Sequence, residues 1–320
     1  MVSINCITYN HEEYIVDAIE SFLMQVTNFN FEILIGEDCS TDNTRVIVQD
    51  YARRYPEKIR IITSEKNVGG RKNSVRLQEN SRGKYIAICE GDDYWTDPNK
   101  LQKQVDYMEL NPNCTLCFHA AEIVIAPKKL TGRMINPYDK SRASPIEDFI
   151  LGGGGFCATS SLLFPKELMK NPPEFYLNAP IGDYPMQMYL ASRGFAYYMH
   201  ENMAAYRSDV KGSWTNRLNS RVNVRENIIR INEGTINLLN GFNIYTNYKS
   251  SVEVEIVKNK LEFELFVLNK NKKDQKGLKF NHYSDCFKWK IRMKMILRCY
   301  FPNLFLKLVN LRIRKVNSYP

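Results

Sequence analysis

The 320-residue chain contains no long apolar run. None approaches the roughly 18 uncharged apolar residues of a membrane-spanning helix, so we expect no such helix. The stretch MVSINCITYN lacks the basic region and the long apolar core of a secretory signal, which predicts a cytoplasmic protein. The eight cysteines form no disulfide pattern. The pair Cys114 and Cys117 lies in an apolar run typical of a strand, and we expect buried thiols there in preference to a zinc site.

Acidic residues are absent from the last part of the chain. The formal net charge is +9, from 44 Lys and Arg against 35 Asp and Glu. Nine of the bases fall within residues 287–320, which contain no Asp or Glu, so residues 1–286 have no net charge. A nucleic-acid-binding protein would need a basic face on its folded body, and the neutral body argues against that class.

The basic tail, residues 287–320, combines its bases with apolar residues. After Pro302, polar and basic residues form one narrow stripe of a predicted helix whose remaining surface is leucine and valine. Such a helix suits the interface of an anionic membrane, and the alternative is a terminal helix docked on the body with its bases in solvent. We expect the tail to place the protein peripherally on the inner face of the cell membrane.

Short apolar runs alternate with helical patterns in the first half of the sequence. Strands are predicted over residues 2–7, 31–35, 59–63 and 84–89, and helices over residues 11–25, 44–54 and 73–80. This order is typical of an α/β fold with a doubly wound, mostly parallel sheet flanked by helices. In such sheets ligands bind beyond the carboxyl ends of the strands, where polar loops converge.

The second half has a weaker pattern. The sequence predicts a helix from about 98 to 111, a polar irregular segment over 128–145, a strand over 157–164 and a helix from about 183. From about residue 215, apolar residues between Leu218 and Ile236 recur at helical spacing. We therefore predict an α/β domain over residues 1–214 and a helical carboxy-terminal extension over residues 215–320, which ends in the basic tail.

An acidic turn follows the fourth predicted strand. Residues 90–95 have the sequence EGDDYW, which places Glu90, Asp92 and Asp93 within four positions. Acids packed together repel one another unless a cation or a donor group offsets them. Oxygen ligands of this kind suit Mg²⁺ or Mn²⁺ bound together with substrate phosphates. The alternative is a solvated turn before the next helix, with Asp97 as the N-cap.

The other predicted strands also end in polar loops. Tyr9 and Asn10 follow the first strand and offer an aromatic face and an amide to a base or ribose. Asp38 follows the second strand and could accept hydrogen bonds from the same groups. The loop NVGGRK after the third strand contains Asn67 and Arg71, and it offers backbone donors and positive charge to phosphates. Each of these residues also suits an ordinary turn.

These motifs together resemble a known family. Residues 1–120 are similar to the family 2 nucleotide-sugar glycosyltransferases with the GT-A fold. The matching segments are, in order, VSINCITYNHEEYI, EILIGEDCSTDNT, NVGGRKN and GKYIAICEGDDYWTDPNKLQKQV. The last resembles a bacterial subgroup with EGDDYW, where many relatives have DxDD. A looser similarity extends to IGDYPMQMYLASRG and AYRSDVKGSW, and beyond about residue 220 the sequence matches no family pattern.

The resemblance implies a nucleoside-diphosphate sugar as the donor, most often a UDP-sugar. Tyr9 and Asp38 would hold the base and the ribose, with Asn10 beside them. Asn67 and Arg71 would approach the base or the diphosphate.

The resemblance also implies a metal site and a catalytic base. Asp92 would coordinate Mg²⁺ or Mn²⁺ at the diphosphate, and Asp93 would orient the ribose, the sugar or the metal ligands. Glu90 stands where relatives more often have Asp, and its longer side chain changes how it would reach the metal. Asp183, in the segment IGDY, stands at the position of the family's base, although Gly182 replaces the Glu that often precedes it. Without the resemblance, Asp183 would be interpreted as a helix N-cap.

The expected activity is an inverting transfer of a hexosyl or N-acetylhexosaminyl group. The acceptor would be a hydroxyl of a glycan or lipid-linked glycan in bacterial surface polysaccharide synthesis, such as capsule or O-antigen. The alternative is a non-catalytic protein that binds sugar nucleotides or serves as a scaffold. A nucleotidyltransferase would need a basic phosphate loop after the first strand, and residues 8–12, TYNHE, do not form one.

Four consecutive glycines at residues 152–155 resemble a phosphate loop only superficially, because no Gly-Lys-Ser or Gly-Lys-Thr follows. We expect a flexible wall of the acceptor pocket or an ordinary turn. Arg207, with Tyr206 and Trp214, is expected to close over the donor or acceptor. His11 is expected to pack or cap beside the first helix.

Overall fold

The computed structural model describes residues 1–210, 213 and 224–269. The chain divides into two units, Met1–Asn219 and Ser220–Pro320. The predicted domain boundary between residues 214 and 215, the basic tail and Trp214 all lie outside the described residues, so those expectations stay predictions.

The first unit is built of alternating strands and helices. Its strands are β1 (Val2–Thr8), β2 (Phe31–Glu37), β3 (Ile59–Thr63), β4 (Tyr85–Ile88), β5 (Tyr94–Trp95), β6 (Cys114–Ile125), β7 (Lys129–Ile135), β8 (Arg142–Ser144), β9 (Leu163–Pro165) and β10 (Phe195–Ser208). Its helices are α1 (Ile15–Leu23), α2 (Thr44–Arg54), α3 (Gly70–Asn80), α4 (Lys100–Leu110), α5 (Ile146–Gly152), α6 (Glu174–Leu177) and α7 (Asp183–Ser192). Short 3₁₀ turns at Gly153–Gly155, Thr159–Ser161 and Lys166–Met169 complete it.

All ten strands belong to one sheet, in the order β3-β2-β1-β4-β9-β6-β10-β5, with β7 beside β6 and β8 beside β10. The first four strands are parallel, as predicted. β9 runs antiparallel between β4 and β6, while β6 and β10 are again parallel. The expected α/β fold with a mostly parallel sheet is confirmed, and each antiparallel pair contains at least one strand that follows α4.

The helix after β1 shows how the sequence pattern becomes packing. Ile15, Ala18, Ile19 and Phe22 of α1 are buried, as their spacing predicts. The helix begins at Ile15, later than the predicted residue 11, after a turn in which the backbone carbonyl of His11 accepts the amides of Tyr14 and Ile15. His11 therefore packs beside the start of α1, while the N-cap is Tyr14 and no described side chain caps the helix.

Three predictions for the second half of this unit were wrong. Residues 128–145, expected to be irregular, contain β7 and β8. β7 is an edge strand, largely exposed, whose hydrogen bonds to β6 stabilise it without an apolar pattern. Residues 157–164, expected to be a strand, contain the turn Thr159–Ser161 and only the start of β9. The 14-residue strand β10 was not predicted, because exposed polar residues and register shifts interrupt its alternation.

The second unit is helical in its described part, with α8 (Val224–Tyr245) and α9 (Ser251–Asn269). From Val224 onwards the apolar spacing that ends at Ile236 correctly indicated helix but not the buried face. The buried residues of α8 are Asn232, Thr235, Leu238, Leu239, Phe242 and Asn243. The side-chain amide of Asn232 donates to Glu264 of α9 over 3.0 Å, and the Thr235 hydroxyl donates to the carbonyl oxygen of Ile231 within α8 over 2.7 Å. No described helix has the length and apolarity to cross a membrane.

Arg207, near the end of β10, fixes the acidic turn in place. Its side chain is fully buried and is paired with the carboxylate of Asp17 on α1. The guanidinium also donates to the carbonyl oxygens of Asp92, over 2.7 Å, and Pro127, over 2.6 Å. Its backbone amide donates to Oδ1 of Asp93 over 2.8 Å. The expectation that Arg207 closes over a substrate is therefore corrected, because its donors are directed at the protein interior.

We predict that Arg207→Met lowers the free energy of unfolding by about 3 kcal/mol, because the carbonyl oxygens of Asp92 and Pro127 lose their donors and the partly buried carboxylate of Asp17 keeps only Lys128 as its ion-pair partner. Urea unfolding followed by circular dichroism measures the change. The matched control is Arg53→Met on α2, whose side chain is 74% exposed, with an expected change within about 0.5 kcal/mol. Equal stability of the two variants would contradict the anchoring function.

Lys100, the first residue of α4, is fully buried. Its ammonium nitrogen lies 3.9 Å from the centroid of the Trp95 ring, which offers a cation–π contact. Among the residues that the structure describes, none accepts a hydrogen bond from this nitrogen. Burial consequently lowers the pKa of Lys100 from 10.5 to about 7.

We predict that Lys100→Met removes a pH-dependent destabilisation. Between pH 7 and pH 10.5 the unfolded chain holds the Lys100 proton more tightly than the folded chain. The stability of the unaltered protein should therefore rise with pH in this window, by at most about 1.4 kcal/mol per pH unit. The Met variant should be more stable at pH 7 and should show a smaller slope in urea unfolding at pH 7, 8 and 9. An unchanged slope would refute the assignment.

Candidate active site

Asp38, directly after β2, is buried at the carboxyl edge of the sheet. Its two carboxylate oxygens accept the backbone amides of Val68, over 2.9 Å, and Gly69, over 2.8 Å. The Ser64 hydroxyl donates to the same side chain over 3.3 Å. Asp38 thus holds the loop between β3 and α3 in its conformation, a function that the sequence did not indicate because the partners lie about 30 residues away.

The loops after β1 and β2 are joined by Asn10. Its backbone is left-handed, with φ of 56°, a region that asparagine tolerates. Its side-chain oxygen accepts the amide of Thr41 over 2.8 Å, and its amide nitrogen donates to the Thr41 hydroxyl over 3.1 Å. Tyr9, the preceding residue, is partly buried. Asn67 accepts the amide of Gly69 over 3.0 Å and so closes the turn before α3.

The acidic turn packs tightly against the loop after β1. A Cβ added at Gly91 would lie 2.7 Å from the Thr8 hydroxyl and 3.0 Å from Nδ1 of His11, so only glycine fits this contact. The other ring nitrogen of His11 lies 3.9 Å from Oδ2 of Asp92. Asp92 is partly exposed whereas Asp93 is buried. The turn therefore presents Asp92 to solvent and keeps Asp93 inside.

The charge of Asp92 contributes to a raised pKa at both other acids of this turn. Burial, followed by the charges of Asp92 and Asp183, raises the pKa of Glu90 to about 8. Burial and the charge of Asp92 raise the pKa of Asp93 well above its ordinary value. Asp183 lies 93 positions after Glu90 in the sequence, yet the charge of Asp183 contributes to the raised pKa of Glu90. The fold therefore brings the predicted base and the predicted metal-binding turn into one site.

This donor set fits a cation shared with a substrate. In the described part of the chain, no three His, Cys, Asp or Glu side chains converge into a closed metal site. Mg²⁺ and Mn²⁺ commonly use one or two carboxylates together with substrate phosphates, so Asp92 and Glu90 suit such an ion. A divalent cation would also relieve the repulsion that raises the pKa of Glu90.

The paired thiols of Cys114 and Cys117 are buried, as expected, and burial raises the pKa of Cys114 to about 12.

Asp183 is the first residue of α7. Its Oδ1 accepts the backbone amide of the next residue, Tyr184, over 2.8 Å, while the N-cap of the helix is Gly182, so the interpretation of Asp183 as the N-cap is wrong. Burial raises the pKa of the carboxyl group from its ordinary value. The other oxygen, Oδ2, faces the glycine run, where a Cβ added at Gly154 would lie only 2.9 Å away. The absence of a side chain at residue 154 therefore leaves room for the Asp183 carboxylate.

Arg71 extends from the start of α3 to the segment before α7. Its Nη1 donates to the carbonyl oxygens of Ala179, over 3.2 Å, and Ile181, over 3.3 Å. Its guanidinium lies 5.0 Å from the ring centroid of Tyr176, and burial lowers its pKa. The structure thus ties the loop of Asn67 to the segment that leads to Asp183. Sequence analysis missed this contact because it joins residues more than 100 positions apart.

Comparisons with known proteins point to one family. Residues 3–168 match the model of the family described as Glycosyl transferase family 2. An uncharacterized protein of Mycobacterium tuberculosis is 35% identical over 67% of this chain, and the match covers 60% of that protein's length. A Bacillus subtilis protein, TuaG, named as a teichuronic acid biosynthesis glycosyltransferase, is 28% identical over 65% of this chain and 79% of its own.

Solved structures show the same fold at low sequence identity. Residues 1–349 of Staphylococcus aureus TarS, in complex with UDP-GlcNAc, align with a TM-score of 0.58 and 15% identity, over 92% of this chain and 86% of that one. The mannosyltransferase PcManGT from Pyrobaculum calidifontis, in complex with GDP-Man and Mn²⁺, aligns with a TM-score of 0.53 and 12% identity, over 95% of this chain and 86% of that one.

The family match covers more than half of the chain and contains all the predicted donor and metal residues. Beyond it, Asp183 is brought to the same site by the fold, through its contacts with the glycine run and its charge on Glu90. On these grounds the chain belongs to glycosyl transferase family 2.

Proposed function

We propose that this protein is an inverting glycosyltransferase that moves a hexosyl or N-acetylhexosaminyl group from a nucleoside-diphosphate sugar to a hydroxyl acceptor. The observation that carries the proposal is that Asp92 and Asp183, 91 positions apart in the sequence, both act electrostatically on Glu90 at the end of β4. Such a transfer needs two groups. The acidic turn would serve the diphosphate end of the donor, and a separate carboxylate would serve the acceptor.

The donor and the pathway are proposed from the compared proteins. TarS is seen with UDP-GlcNAc and PcManGT with GDP-Man and Mn²⁺, and both support a sugar nucleotide and a divalent ion here. UDP is the nucleotide that we favour. The name of TuaG refers to a cell-surface polymer, which supports an acceptor that is a growing surface glycan or its lipid-linked precursor.

On the donor side, we propose that Tyr9 and Asn10 contact the base and ribose, in a loop that Asp38 and Asn67 hold in position. Asp93 orients the acid turn through its bond to the Arg207 amide. Asp92, assisted by Glu90, would hold Mg²⁺ or Mn²⁺. When bound, that ion supplies Lewis-acid stabilisation to the departing diphosphate.

On the acceptor side, we propose Asp183 as the general base. Its carboxylate accepts the proton of the acceptor hydroxyl as the oxygen attacks the anomeric carbon. The attack comes from the face opposite the leaving diphosphate, so a single displacement inverts the configuration and requires no covalent nucleophile. Arg71, which we expected at the donor, would act on this step by positioning the segment before Asp183.

Removing the base should stop transfer without abolishing donor binding. We expect Asp183→Asn to lower kcat for sugar transfer by about 10²- to 10⁴-fold, since the amide cannot accept the proton. Nucleotide release measures turnover and calorimetry with a UDP-sugar measures binding. The matched control, Asp106→Asn, changes an exposed carboxylate of α4 and should retain full activity. Equal turnover in both variants, or no turnover in the unaltered chain, would favour a scaffold that only binds sugar nucleotides.

Metal removal should also stop turnover. We expect EDTA to abolish nucleotide release from a panel of UDP-sugars and GDP-sugars, and excess Mg²⁺ or Mn²⁺ to restore it. Asp92→Asn should raise the metal concentration for half-maximal activity at least tenfold, because a neutral amide binds divalent ions more weakly than a carboxylate. Full activity in EDTA would exclude the proposed metal dependence.

The location of the enzyme is proposed from the sequence. The basic tail, residues 287–320, would hold a cytoplasmic catalytic domain, residues 1–214, peripherally on the inner face of the membrane. Attachment to an anionic membrane surface would give the catalytic domain access to a lipid-linked acceptor.

A further inference from the structure

A shallow cavity of about 480 Å³, wide open to solvent, lies beside the glycine run, on the side of β6 and β7. It is lined by Ile123, Met134, Ile135, Asn136, Pro137, Gly155 and Phe156. None of the predicted donor, metal or base residues lines it, so the proposed donor site leaves this cavity without an assigned ligand.

The glycine run connects this cavity to the proposed base. Gly154 contacts the carboxylate of Asp183, and the next residue, Gly155, lines the cavity. Gln187 of α7 holds the glycine run in place. Its side-chain amide nitrogen donates to the carbonyl oxygens of Gly154, over 3.3 Å, and Cys157, over 3.4 Å. The wall of the cavity therefore lies one residue along the chain from the glycine that faces the carboxylate of Asp183.

The two glycines differ in what a side chain would meet. A Cβ at Gly154 would lie within 3.2 Å of three atoms of the Asp183 side chain. A Cβ at Gly155 would meet no atom within 4 Å, and the backbone there is not left-handed. Neither packing nor backbone strain requires glycine at residue 155. Its small size leaves open space, and that space belongs to the cavity.

The lining indicates the class of ligand. Phe156 and Met134 offer apolar surface of the kind that packs against the C–H face of a pyranose ring. Asn136 offers an exposed side-chain amide, and Gly155 exposes its peptide group, so sugar hydroxyls would find hydrogen-bond partners. Phe156 is held rigidly, since its ring packs against Phe149 with centroids 4.7 Å apart. Rigid apolar surface combined with polar groups suits a sugar ring better than a flexible lipid chain, which would leave the polar groups unpaired.

We infer that this cavity binds the second sugar ring of the acceptor, the ring next to the one whose hydroxyl is deprotonated. The inference rests on the proposed function, because it takes Asp183 as the base. Residue 155 then sets how large this second ring can be. The enzyme should accordingly prefer disaccharide acceptors to monosaccharide acceptors.

The experiment compares methyl glycosides of a monosaccharide and of a matching disaccharide as acceptors for the full chain. With the unaltered protein, we expect kcat/KM to be at least tenfold higher for the disaccharide. Gly155→Ala should reduce this preference, and Gly155→Leu, which fills the cavity, should abolish it through a rise in the KM of the disaccharide. Nucleotide release without acceptor should stay within twofold of its original rate in both variants.

Two further variants keep the test decisive. Gly154→Ala should lower kcat for both acceptors alike, because it displaces the carboxylate of Asp183 and leaves the cavity open. Asn136→Ala, at an exposed position, should weaken the disaccharide preference even if Gly155→Leu does not fold.

Each negative result has a distinct meaning. Donor turnover with an unchanged disaccharide preference in the Gly155 and Asn136 variants would overturn the acceptor cavity and leave the proposed function standing. Octyl glycosides test whether kcat/KM depends on the length of the alkyl chain of the acceptor. If it does, the cavity binds a lipid chain and the assignment to a sugar ring is overturned. No donor turnover in the unaltered chain would count against the proposed function itself.

Discussion

The site depends on the buried guanidinium of Arg207. A charge with no exposure to solvent must be fully paired, and here an ion pair with Asp17 and two carbonyl oxygens provide that pairing. One of those carbonyls belongs to Asp92, and the backbone amide of Arg207 bonds the next acid, Asp93. A residue on β10 thereby fixes a turn that follows β4, on the far side of β9 and β6 in the sheet. The acidic turn is held by hydrogen bonds to a residue that is distant in the sequence. These bonds offset the repulsion among the acids of the turn.

Features with short-range causes could be predicted from the sequence. α2 and β3 begin and end at the predicted residues, because each has a clear apolar period and polar ends. The acid turn and the polar loops after β1, β2 and β3 were identified correctly as neighbours, since parallel strands end at one edge of a sheet. The edge strand β7 was missed because pairing with β6, and not its own pattern, stabilises it.

Side-chain partners were harder to predict than positions. Asp38, Arg71 and Arg207 were all expected to face a ligand, and in the structure each bonds to backbone atoms of a distant segment. A charged residue in a family motif has the same sequence signature whether it contacts a substrate or holds the loop that does. The two cases can be distinguished only in the folded chain, because the bonding partners lie from about 30 to more than 100 residues apart in the sequence.

The carboxylate of Asp38 has a consequence for affinity. Because it already accepts the amides of Val68 and Gly69, the loop before α3 is ordered by hydrogen bonds within the protein. Ordering a loop during association costs conformational entropy, and a loop that is ordered in advance does not impose that cost on the ligand. The contacts that we propose between this loop and a nucleotide would then contribute to affinity in full.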